Sequence, residues 1–472
     1  MQEVTPRGSE QVELQVERMV AGGLGLCREN SGRILLVEGG LPGERVLVQV
    51  TESSKRMAKG VVLDVVSPTA GRRAAPCAEV AAGCGGCDLQ HAEPELQLRL
   101  KAEIVVDALF RIAHLEHVPI SFGQPLPSTR YRTTLRCGVA ADAGRAAQIT
   151  RAAQITREIE GSGLDQSHMH GQGGVSGQGG AIGQGGMIGQ GDMIGQGDMV
   201  GRVGFRKRQS HEVHPVPSCL VAHPLIEELI HVGRFPGASS VTFRVGARTS
   251  ERMVIVDGEE LSQKSLGLPD DVRIVTAQAL TDGAQAWIHE QVAGHSFRIS
   301  ARSFFQARPD GADALVAAVA RAVAPFDAVH DRLVDLYGGV GLFTKGLNAQ
   351  RAVLVERSES SISDARVNLF ELGTKIVASS VERWQPTSAE VVVADPARAG
   401  LNAAGVDAVV ATGAERVALV SCDPASLARD LGLFAAAGFE VQGIELIDMF
   451  PQTHHIETVA TLRRVSASRV TR

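Results

Sequence analysis

The sequence has few aromatic residues, no excess of positive charge and no long apolar run. Phenylalanine, tryptophan and tyrosine make up 4% of the 472 residues, which argues against a large surface for stacking bases. Lysine plus arginine number 47 and aspartate plus glutamate 53, and the net charge of −6 gives no global attraction to nucleic acid. No stretch approaches the ~18 apolar residues of a membrane helix. Composition therefore predicts a globular protein without a membrane span.

The first residues and the cysteines predict a cytoplasmic protein. Residues 1–5 contain no basic stretch followed by an apolar one, so no signal peptide is evident. Seven cysteines in a cytosolic chain are more often thiols or metal ligands than disulfides. At about 150 residues per domain, the length predicts roughly three domains. We expect a monomer.

Residues 1–68 are typical of a small β-barrel. Alternating or apolar segments follow one another at short intervals, with glycine-rich turns at 22–25 and 39–40 and the turn Leu-Pro-Gly-Glu at 41–44. Any small β domain would give a similar pattern, so the pattern alone does not assign nucleic-acid binding. The segments are residues 12–16, 34–37, 45–50 and 60–66.

Glycine is in excess, with 52 of 472 residues, where about 7% is usual. Much of this excess belongs to an insertion at about residues 145–203. The hexapeptide Arg-Ala-Ala-Gln-Ile-Thr occurs twice in succession from Arg145, and five glycine-rich hexads run from Gly171 to Val200. The hexad period also suggests a left-handed β-helix. Five hexads would make fewer than two coils and could not bury a core, so we favour a flexible insertion produced by repeat expansion.

The rest of the chain predicts two further domains. Residues 69–300 are rich in strand-like text, with a helix predicted from Pro94 to Leu115, and carry a cluster of cysteines. From 301 to 472, apolar runs at 333–337, 352–356, 390–394 and 417–421 are separated by helix-length segments. That alternation is the pattern of a doubly wound α/β domain with a parallel sheet.

A glycine turn in the C-terminal domain predicts a cofactor site. Asp-Leu-Tyr-Gly-Gly-Val-Gly at 335–341 lies where a predicted strand ends and a helix begins, so Gly339 and Gly341 would allow close approach of a ligand. Glu356 ends the next strand, 21 positions after Asp335, where an acid can accept hydrogen bonds from a ribose. NAD and S-adenosylmethionine sites share this arrangement, and a purely structural turn is the alternative.

Two later strand ends face the same edge of the predicted sheet. Asp-Pro-Ala-Arg-Ala-Gly-Leu occupies 395–401 and Ser-Cys-Asp-Pro-Ala occupies 421–425. Ligands of open α/β sheets bind at the carboxyl ends of the strands, and a thiolate at Cys422 could be activated by the helix that follows it. Glu457, entering the last predicted strand, is either a general base or a surface residue. Phe304 and Phe305 are expected to pack in the core.

These four motifs together resemble one family. The segments at 335–341, 395–401, 421–425 and 448–453 (Asp-Met-Phe-Pro-Gln-Thr) look like those of the RNA uracil-C5 methyltransferases, bacterial enzymes that form 5-methyluridine in tRNA or 23S rRNA. The resemblance covers nearly the whole chain apart from the insertion. The turns at 22–25 and 41–44 resemble those of a TRAM domain, an oligonucleotide-binding-type barrel that binds RNA. The expected fold is therefore a Rossmann-like class I methyltransferase domain with an N-terminal TRAM barrel and a central β-rich domain carrying the cysteine cluster.

The resemblance implies a reaction and assigns residues to it. Cys422 matches the nucleophile that adds to C6 of uracil, and Glu457 matches the base that removes the C5 proton. Structured RNA would be the partner, with the target uridine flipped out to reach the thiol. A catalytically weak RNA-binding or folding factor on the same scaffold is the alternative. The S-adenosylmethionine contacts implied are Gln306, Tyr337, Gly339, Gly341, Leu342, Glu356 and Asp395.

The sequence departs from the family pattern at three positions. Leu342 stands where the family often has a polar side chain, Asp423 replaces a common Asn and Ala397 a common Pro. These departures concern individual contacts rather than the reaction type.

Four cysteines predict a metal centre. Cys84 and Cys87 flank two glycines, Cys77 precedes them and Cys219 is distant. The set fits a [4Fe–4S] cluster or a zinc site, and the resemblance favours the cluster. Six residues separate Cys77 from Cys84, where relatives commonly have five. Cys27 and Cys137 are expected to be buried apolar fillers.

Local basic clusters, rather than the net charge, would contact phosphates. Each could equally be a solvated face. They are Lys55, Arg56 and Lys59; Arg72 and Arg73; Arg130, Arg132 and Arg136; and Arg206, Lys207 and Arg208.

Overall fold

The computed structural model describes residues 10–140, 201–208, 210–258 and 266–465. The repeats of the predicted insertion, from Arg145 to Val200, lie outside these residues. Within the described ranges, no helix is long and apolar enough to cross a membrane.

The N-terminal region is a closed five-stranded barrel, as predicted. The strands run in the order β1-β2-β3-β5-β4 around it. Alternate residues point inward, so Val46, Val48 and Val50 of β4 are buried. The sequence interpretation missed β2, because its residues continue directly from the glycine turn at 22–25. The strands are β1 (Gln11–Val20), β2 (Leu24–Arg28), β3 (Ile34–Glu38), β4 (Arg45–Ser53) and β5 (Met57–Ser67).

A helical segment links the barrel to the rest of the molecule. It contains α1 (Ala78–Ala81) and α2 (Pro94–Ala108), which continues into a π-helical turn (Leu109–Ala113). Pro94 stands at the first position of α2, where its missing N–H is harmless. The apolar positions of α2 include Leu96, Leu100 and Ile104, which are buried as expected.

The central region contains a six-stranded sheet in the order β12-β11-β10-β7-β8-β9. The insertion joins β7 to β8, which are antiparallel neighbours with Val139 opposite Val203. The short hairpin β13–β14 leads to the C-terminal region. After β6 (Ile120–Phe122), the elements are β7 (Thr134–Val139), β8 (Val203–Arg206), β9 (Val213–Pro215), α3 (Pro224–Val232), β10 (Ser240–Val245), β11 (Arg252–Asp257), β12 (Val272–Thr276), α4 (Ala277–Thr281), β13 (Trp287–Val292) and β14 (His295–Ser300).

The C-terminal region is a doubly wound α/β fold, and its four predicted apolar runs form strands. Its helices are α5 (Pro309–Val323), α6 (Leu342–Gly346), α7 (Glu359–Asn368), α8 (Asn402–Ala411) and α9 (Pro424–Ala436). Its strands are β15 (Leu333–Leu336), β16 (Ala352–Glu356), β17 (Lys375–Ala378), β18 (Val391–Ala394), β19 (Arg416–Ser421), β20 (Phe439–Ile447) and β21 (Glu457–Arg464).

The strand order places a ligand site at the centre of this sheet. The order is β17-β16-β15-β18-β19-β21-β20-β6, with β15 to β19 parallel and β21 antiparallel to both its neighbours. The chain winds outward from β15 to β17 and then resumes on the other side of β15 with β18. Crevices at such switch points, beyond the carboxyl ends of the strands, are where open α/β sheets bind ligands.

Two elements from the predicted central region pack onto this sheet. β6 pairs in parallel with β20, and α2 shares a hydrophobic core with α9. The domain boundaries at residues 68 and 300 therefore remain predictions. Elements on the two sides of residue 300 are in extensive contact with each other.

Candidate active site

The glycine turn at 335–341 is held in a conformation that requires glycine. Gly339 and Gly341 have φ values of 56° and 95°, in the left-handed region. A Cβ on Gly341 would lie 2.8 Å from the side chain of Leu369. Asp335 is fully buried and its Oδ2 accepts hydrogen bonds from the Thr344 backbone N–H (3.2 Å) and hydroxyl (2.7 Å). The turn is thereby fixed to the first turn of α6, where Leu342 is buried.

Glu356 meets this turn as the spacing predicted. Its Oε2 accepts a hydrogen bond of 3.1 Å from the backbone N–H of Gly339. Its Oε1 accepts one of 2.7 Å from each of the Arg357 and Ser358 backbone N–H groups. The carboxylate is therefore fixed at the carboxyl edge of the sheet beside the glycine turn.

Two further predicted cofactor residues lie in the segments that border this edge. Tyr337 is half-buried within the turn, and burial together with the nearby Glu382 raises the pKa of its hydroxyl to about 12. Gln306 is buried in the segment between β14 and α5. Beside it, Phe305 packs against Phe297 as expected, whereas Phe304 is 69% exposed. The expectation that Phe304 packs in the core is wrong, because the short segment before α5 can turn only one of the adjacent rings inward.

Cys422 lies between the half-buried Asp395 and the buried Glu457. Asp395 follows β18, Cys422 follows β19, and Glu457 begins β21, whose Thr458 pairs with Ser421. The Thr458 hydroxyl also donates to the Ser421 carbonyl at 2.9 Å. The three side chains, carried at the ends of the neighbouring strands β18, β19 and β21, thus meet beside the cofactor turn.

The three groups of this trio disfavour one another's negatively charged forms. Burial and the nearby Asp335 raise the pKa of Asp395 to about 7, and burial with Asp395 raises the pKa of Glu457 well above its usual range. Burial, and then the two acids, raise the pKa of Cys422 to about 12, while Arg398 opposes the shift. In the free protein the thiol is therefore neutral.

The expected activation of Cys422 by its helix is not seen. Asp423 caps α9, its Oδ1 accepting a hydrogen bond of 2.8 Å from the Ser426 N–H. The Asp423 carboxylate therefore occupies the N-terminus of α9, which was expected to stabilise the Cys422 thiolate. Arg398 and the backbone N–H of Cys422 are the groups of the protein that act to lower the pKa of this thiol.

Comparisons with known proteins decide the family. The tRNA (Uracil-5-)-methyltransferase model matches residues 383–465 and the TRAM domain model matches residues 8–63. An uncharacterized RNA methyltransferase of Streptomyces avermitilis is 32% identical over 96% of this chain and 98% of its own. One from Streptomyces coelicolor is 31% identical over 96% of this chain and 93% of its own.

The chain belongs to the RNA uracil-C5 methyltransferase family. It is an RNA methyltransferase, and its N-terminal barrel is a TRAM domain. The structure of Pyrococcus abyssi tRNA (uracil-54, C5)-methyltransferase in complex with S-adenosyl-L-homocysteine superposes with a TM-score of 0.63 at 19% identity, over 96% of this chain and 100% of that one. This likeness bears on the fold alone and supports the class I methyltransferase architecture.

The methyltransferase brings its four predicted metal ligands to one cavity. Cys77, Cys84, Cys87 and Cys219 all line it. The Gly86 N–H donates to Cys84 Sγ at 3.5 Å. In the described part of the chain, no group of three or more His, Cys, Asp or Glu side chains is arranged to hold a single metal ion.

Two side chains that can donate hydrogen bonds line the same cavity as these cysteines. Gln90 hydrogen-bonds the Cys87 side chain, and the buried Arg132 Nε has no hydrogen-bond partner among the described residues. The remaining cysteines, Cys27 and Cys137, are buried in the barrel and the central sheet as expected.

Several basic residues expected to contact phosphates are paired within the methyltransferase. Arg72 pairs with the buried Glu44, Arg208 with Glu38, and Lys207 with Glu212. For these residues the pairing favours a structural role over the predicted phosphate contact. Arg398 differs from them, because it lies beside Cys422 with one guanidinium nitrogen 3.4 Å from His455 Nδ1.

The sequence interpretation missed a set of residues around the loop that precedes Glu457. Lys101, Asp88 and Gln97 contact this loop from parts of the chain more than 340 residues away. Nothing in local sequence marks them, since each contact is made only when α2 and the cysteine segment (residues 77–89) pack on the C-terminal sheet.

Proposed function

We propose that this enzyme transfers a methyl group from S-adenosylmethionine to C5 of a uridine in structured RNA, either tRNA or 23S rRNA. The reaction passes through a covalent bond between Cys422 Sγ and C6 of the base. The observation that carries the proposal is the trio of Asp395, Cys422 and Glu457 beside a glycine turn at the switch point of the sheet.

The chain's own residues account for each half of the reaction. Cys422, having lost its proton to solvent, adds to C6, and the C5=C6 electron pair makes C5 nucleophilic. S-adenosylmethionine, when bound, would supply the methyl group: C5 would take it as the sulfonium S–CH3 bond breaks and leaves the neutral thioether S-adenosylhomocysteine. Glu457 then accepts the C5 proton, the C5=C6 bond re-forms, and the C6–S bond breaks to release the thiolate.

The residues at the turn fit the proposed methyl donor. Gly339 and Gly341 leave the backbone open to close approach, and Glu356 presents a fixed carboxylate where ribose hydroxyls can donate. A sulfonium cation placed near Asp395 would favour the ionised forms of both acids and offset the shifts caused by burial. Gln306, Tyr337 and Leu342 complete the proposed contacts.

Methyl transfer to RNA tests the nucleophile. With labelled methyl donor and bulk RNA, we expect the wild type to incorporate label and Cys422→Ala to lose at least about 10³-fold, since the covalent route is removed. Cys27→Ala, which changes a buried thiol in the barrel, is the matched control and should remain active. Incorporation that survives Cys422→Ala would exclude this mechanism.

Mapping the modified base identifies the substrate. Sequencing 5-methyluridine in tRNA and rRNA from a deletion strain, beside the parent strain, would show which RNA and which uridine lose the methyl group.

We further infer that Cys77, Cys84, Cys87 and Cys219 hold a [4Fe–4S] cluster, with zinc as the alternative. Four thiols at one cavity suit either. The unpaired Arg132 Nε and the Gln90 side chain, which hydrogen-bonds Cys87, suit an anionic, sulfur-rich group that accepts hydrogen bonds. Methyl transfer needs no redox step, so the group would serve structure or RNA orientation.

Anaerobic purification distinguishes the two metals. We expect a brown protein with broad visible absorbance that is lost in Cys87→Ala and kept in Cys137→Ala, the buried cysteine outside the set. A colourless protein with one equivalent of zinc would contradict the cluster.

A further inference from the structure

The nine-residue loop 448–456 delivers Glu457 to the active site and is held largely from outside. It connects β20 to β21, whose residues Ile447 and Glu457 are paired at its two ends. Inside the loop, Gln452 has a φ of 70°, a left-handed conformation that is unfavourable for a residue with a side chain. Such a conformation persists only where surrounding contacts impose it.

The segment immediately after Cys87 supplies these contacts from the backbone. The N–H groups of Asp88 and Leu89 both donate to the Gln452 carbonyl, at 3.1 and 3.0 Å. The Asp88 carboxylate accepts the backbone N–H of His454 at 2.7 Å and pairs with its ring. Two residues of the cysteine segment thus fix the middle and the far side of the loop.

Gln452 itself makes a second set of contacts, through its backbone N–H and its side chain. Its backbone N–H donates to Gln97 Oε1 at 2.7 Å, and its Oε1 accepts from Gln97 Nε2 and an Arg73 guanidinium nitrogen, each at 3.1 Å. Arg73 in turn donates to the Gln90 carbonyl at 3.1 Å. Gln452 is 2% exposed, so these bonds form without competition from water.

The TRAM barrel touches the same loop. Gly23, in the turn between β1 and β2, lies so close that an added Cβ would be 2.8 Å from His454 Cβ. The loop before Glu457 is therefore enclosed by the cysteine segment, α2 and the barrel.

We propose that Asp88 and Gln452 are positioning residues for Glu457, and that the cysteine segment serves catalysis by holding the loop that carries this base. The inference rests on the proposed function, in which Glu457 removes the C5 proton. It gives the cysteine segment a role in a reaction that has no redox step.

The two halves of the reaction depend differently on this loop. Cys422 is placed by β19 and by the cap of α9, whereas the hydrogen bonds of Asp88 and Gln452 described above lie within the loop and its supports from α2 and the cysteine segment. Glu457 acts only after methyl transfer. Loosening the loop should therefore leave adduct formation near the wild-type rate and slow adduct breakdown, so that methylated RNA accumulates while still bound to Cys422.

Single-turnover experiments with Asp88→Ala and Gln452→Gly test this. Glycine suits a φ of 70°, so Gln452→Gly removes the side-chain contacts without adding backbone strain. With labelled methyl donor, total label in RNA and label in a denaturation-resistant protein–RNA complex are followed over time. We expect breakdown of the complex to slow about tenfold or more, because a misplacement of ~1 Å costs up to about 10²-fold.

Three controls sharpen the result. Asp64→Ala, at an exposed carboxylate of the barrel that contacts only the adjacent backbone, should behave as wild type. Asp88→Asn keeps an oxygen for the His454 N–H and should restore much of the breakdown rate. Melting temperatures establish that the variants fold, and Gln452→Gly alone decides the result if Asp88→Ala does not.

Two outcomes would overturn the positioning role. One is equal slowing of methyl transfer and of adduct breakdown, and the other is no change in either. Wild type incubated with RNA containing 5-fluorouridine separates this failure from that of the proposed function, since the missing C5 proton traps any adduct. Absence of a Cys422-dependent complex there would refute the covalent mechanism itself.

Discussion

The reactive thiol lies in surroundings that suppress its reactivity until ligands arrive. Burial, Glu457 and Asp395 together raise the pKa of Cys422 to about 12, and Arg398 is the nearby group that opposes them. A neutral thiol is a poor nucleophile and is correspondingly slow to oxidise. Binding of a cationic methyl donor beside Asp395 would lower the pKa of Cys422. The thiol should therefore be much more nucleophilic in the complex than in the free enzyme.

Asp395 should make stability depend on pH. Its pKa in the folded protein, about 7, lies above the ordinary value of 3.8, so between these values the folded state binds more protons than the unfolded state. The stability it contributes is therefore fully present below about pH 4 and is lost as the pH rises through 7. Above pH 7 the buried carboxylate is charged and destabilising.

We expect Asp395→Asn to melt higher than wild type at pH 8 and to lose this advantage towards pH 4. One kcal/mol shifts the midpoint of a domain of this size by about 2–4 °C, so the gain should be a few degrees. Calorimetry across this pH range, with Asp64→Asn as an exposed control, measures it. A gain that is independent of pH would show that the charge of Asp395 is not its cause.

At the scale of elements, α2 supports the C-terminal sheet through a buried ion pair. Lys101 is almost completely buried, and its Nζ donates to Asp448 Oδ1 at 2.7 Å and to the Phe450 carbonyl at 3.1 Å. Burial lowers the pKa of Lys101, and Asp448 opposes that shift. Both acceptors belong to the loop 448–456 that leads to Glu457. Helix α2 therefore places a fixed cation at the start of this loop.

Lys101→Met should therefore destabilise the protein strongly. Removing one member of a buried pair leaves the other without its partner and costs about 3–5 kcal/mol. Lys59→Met is the matched control, because Lys59 and Glu52 form a surface pair that should contribute no more than about 1 kcal/mol. Urea unfolding measures both, and the double change Lys101→Met with Asp448→Leu should recover part of the loss. Equal effects at Lys101 and Lys59 would contradict this account.

Local sequence predicted the elements that depend on local periodicity. Five strands of the C-terminal sheet, the helix from Pro94 and four of the five barrel strands follow from apolar spacing and glycine turns, whereas β17 and β20 were not predicted. Motif resemblance pointed to Cys422, Glu457 and the cofactor turn as site residues. β6 was missed because its strand conformation comes from pairing with β20, more than 300 residues away. Asp88 and Gln452 were missed for the same physical reason.

At the scale of the whole molecule, the net charge and the glycine content are poor guides to the fold, because each is determined largely by particular parts of the chain. The net charge of −6 includes basic residues such as Arg72 and Arg208, which neutralise buried or half-buried carboxylates inside the molecule. The basic residues that are not paired in this way, among them Arg398 beside Cys422, are the candidates for contact with phosphates. The glycine-rich repeats lie outside the described residues.

The insertion begins and ends at neighbouring points of one sheet. Val139 and Val203 are paired, and the Ala140 N–H donates to the Arg202 carbonyl at 2.8 Å. A segment whose ends already meet in a hairpin can be shortened without moving either strand, and loop-closure entropy changes only slowly with length. Deleting residues 162–200 should therefore leave the melting temperature and RNA methylation close to wild type. As a control, deleting Gly23 alone should lower both, because the barrel turn packs on His454. A large loss on removing the repeats would instead assign them a part in folding or RNA binding.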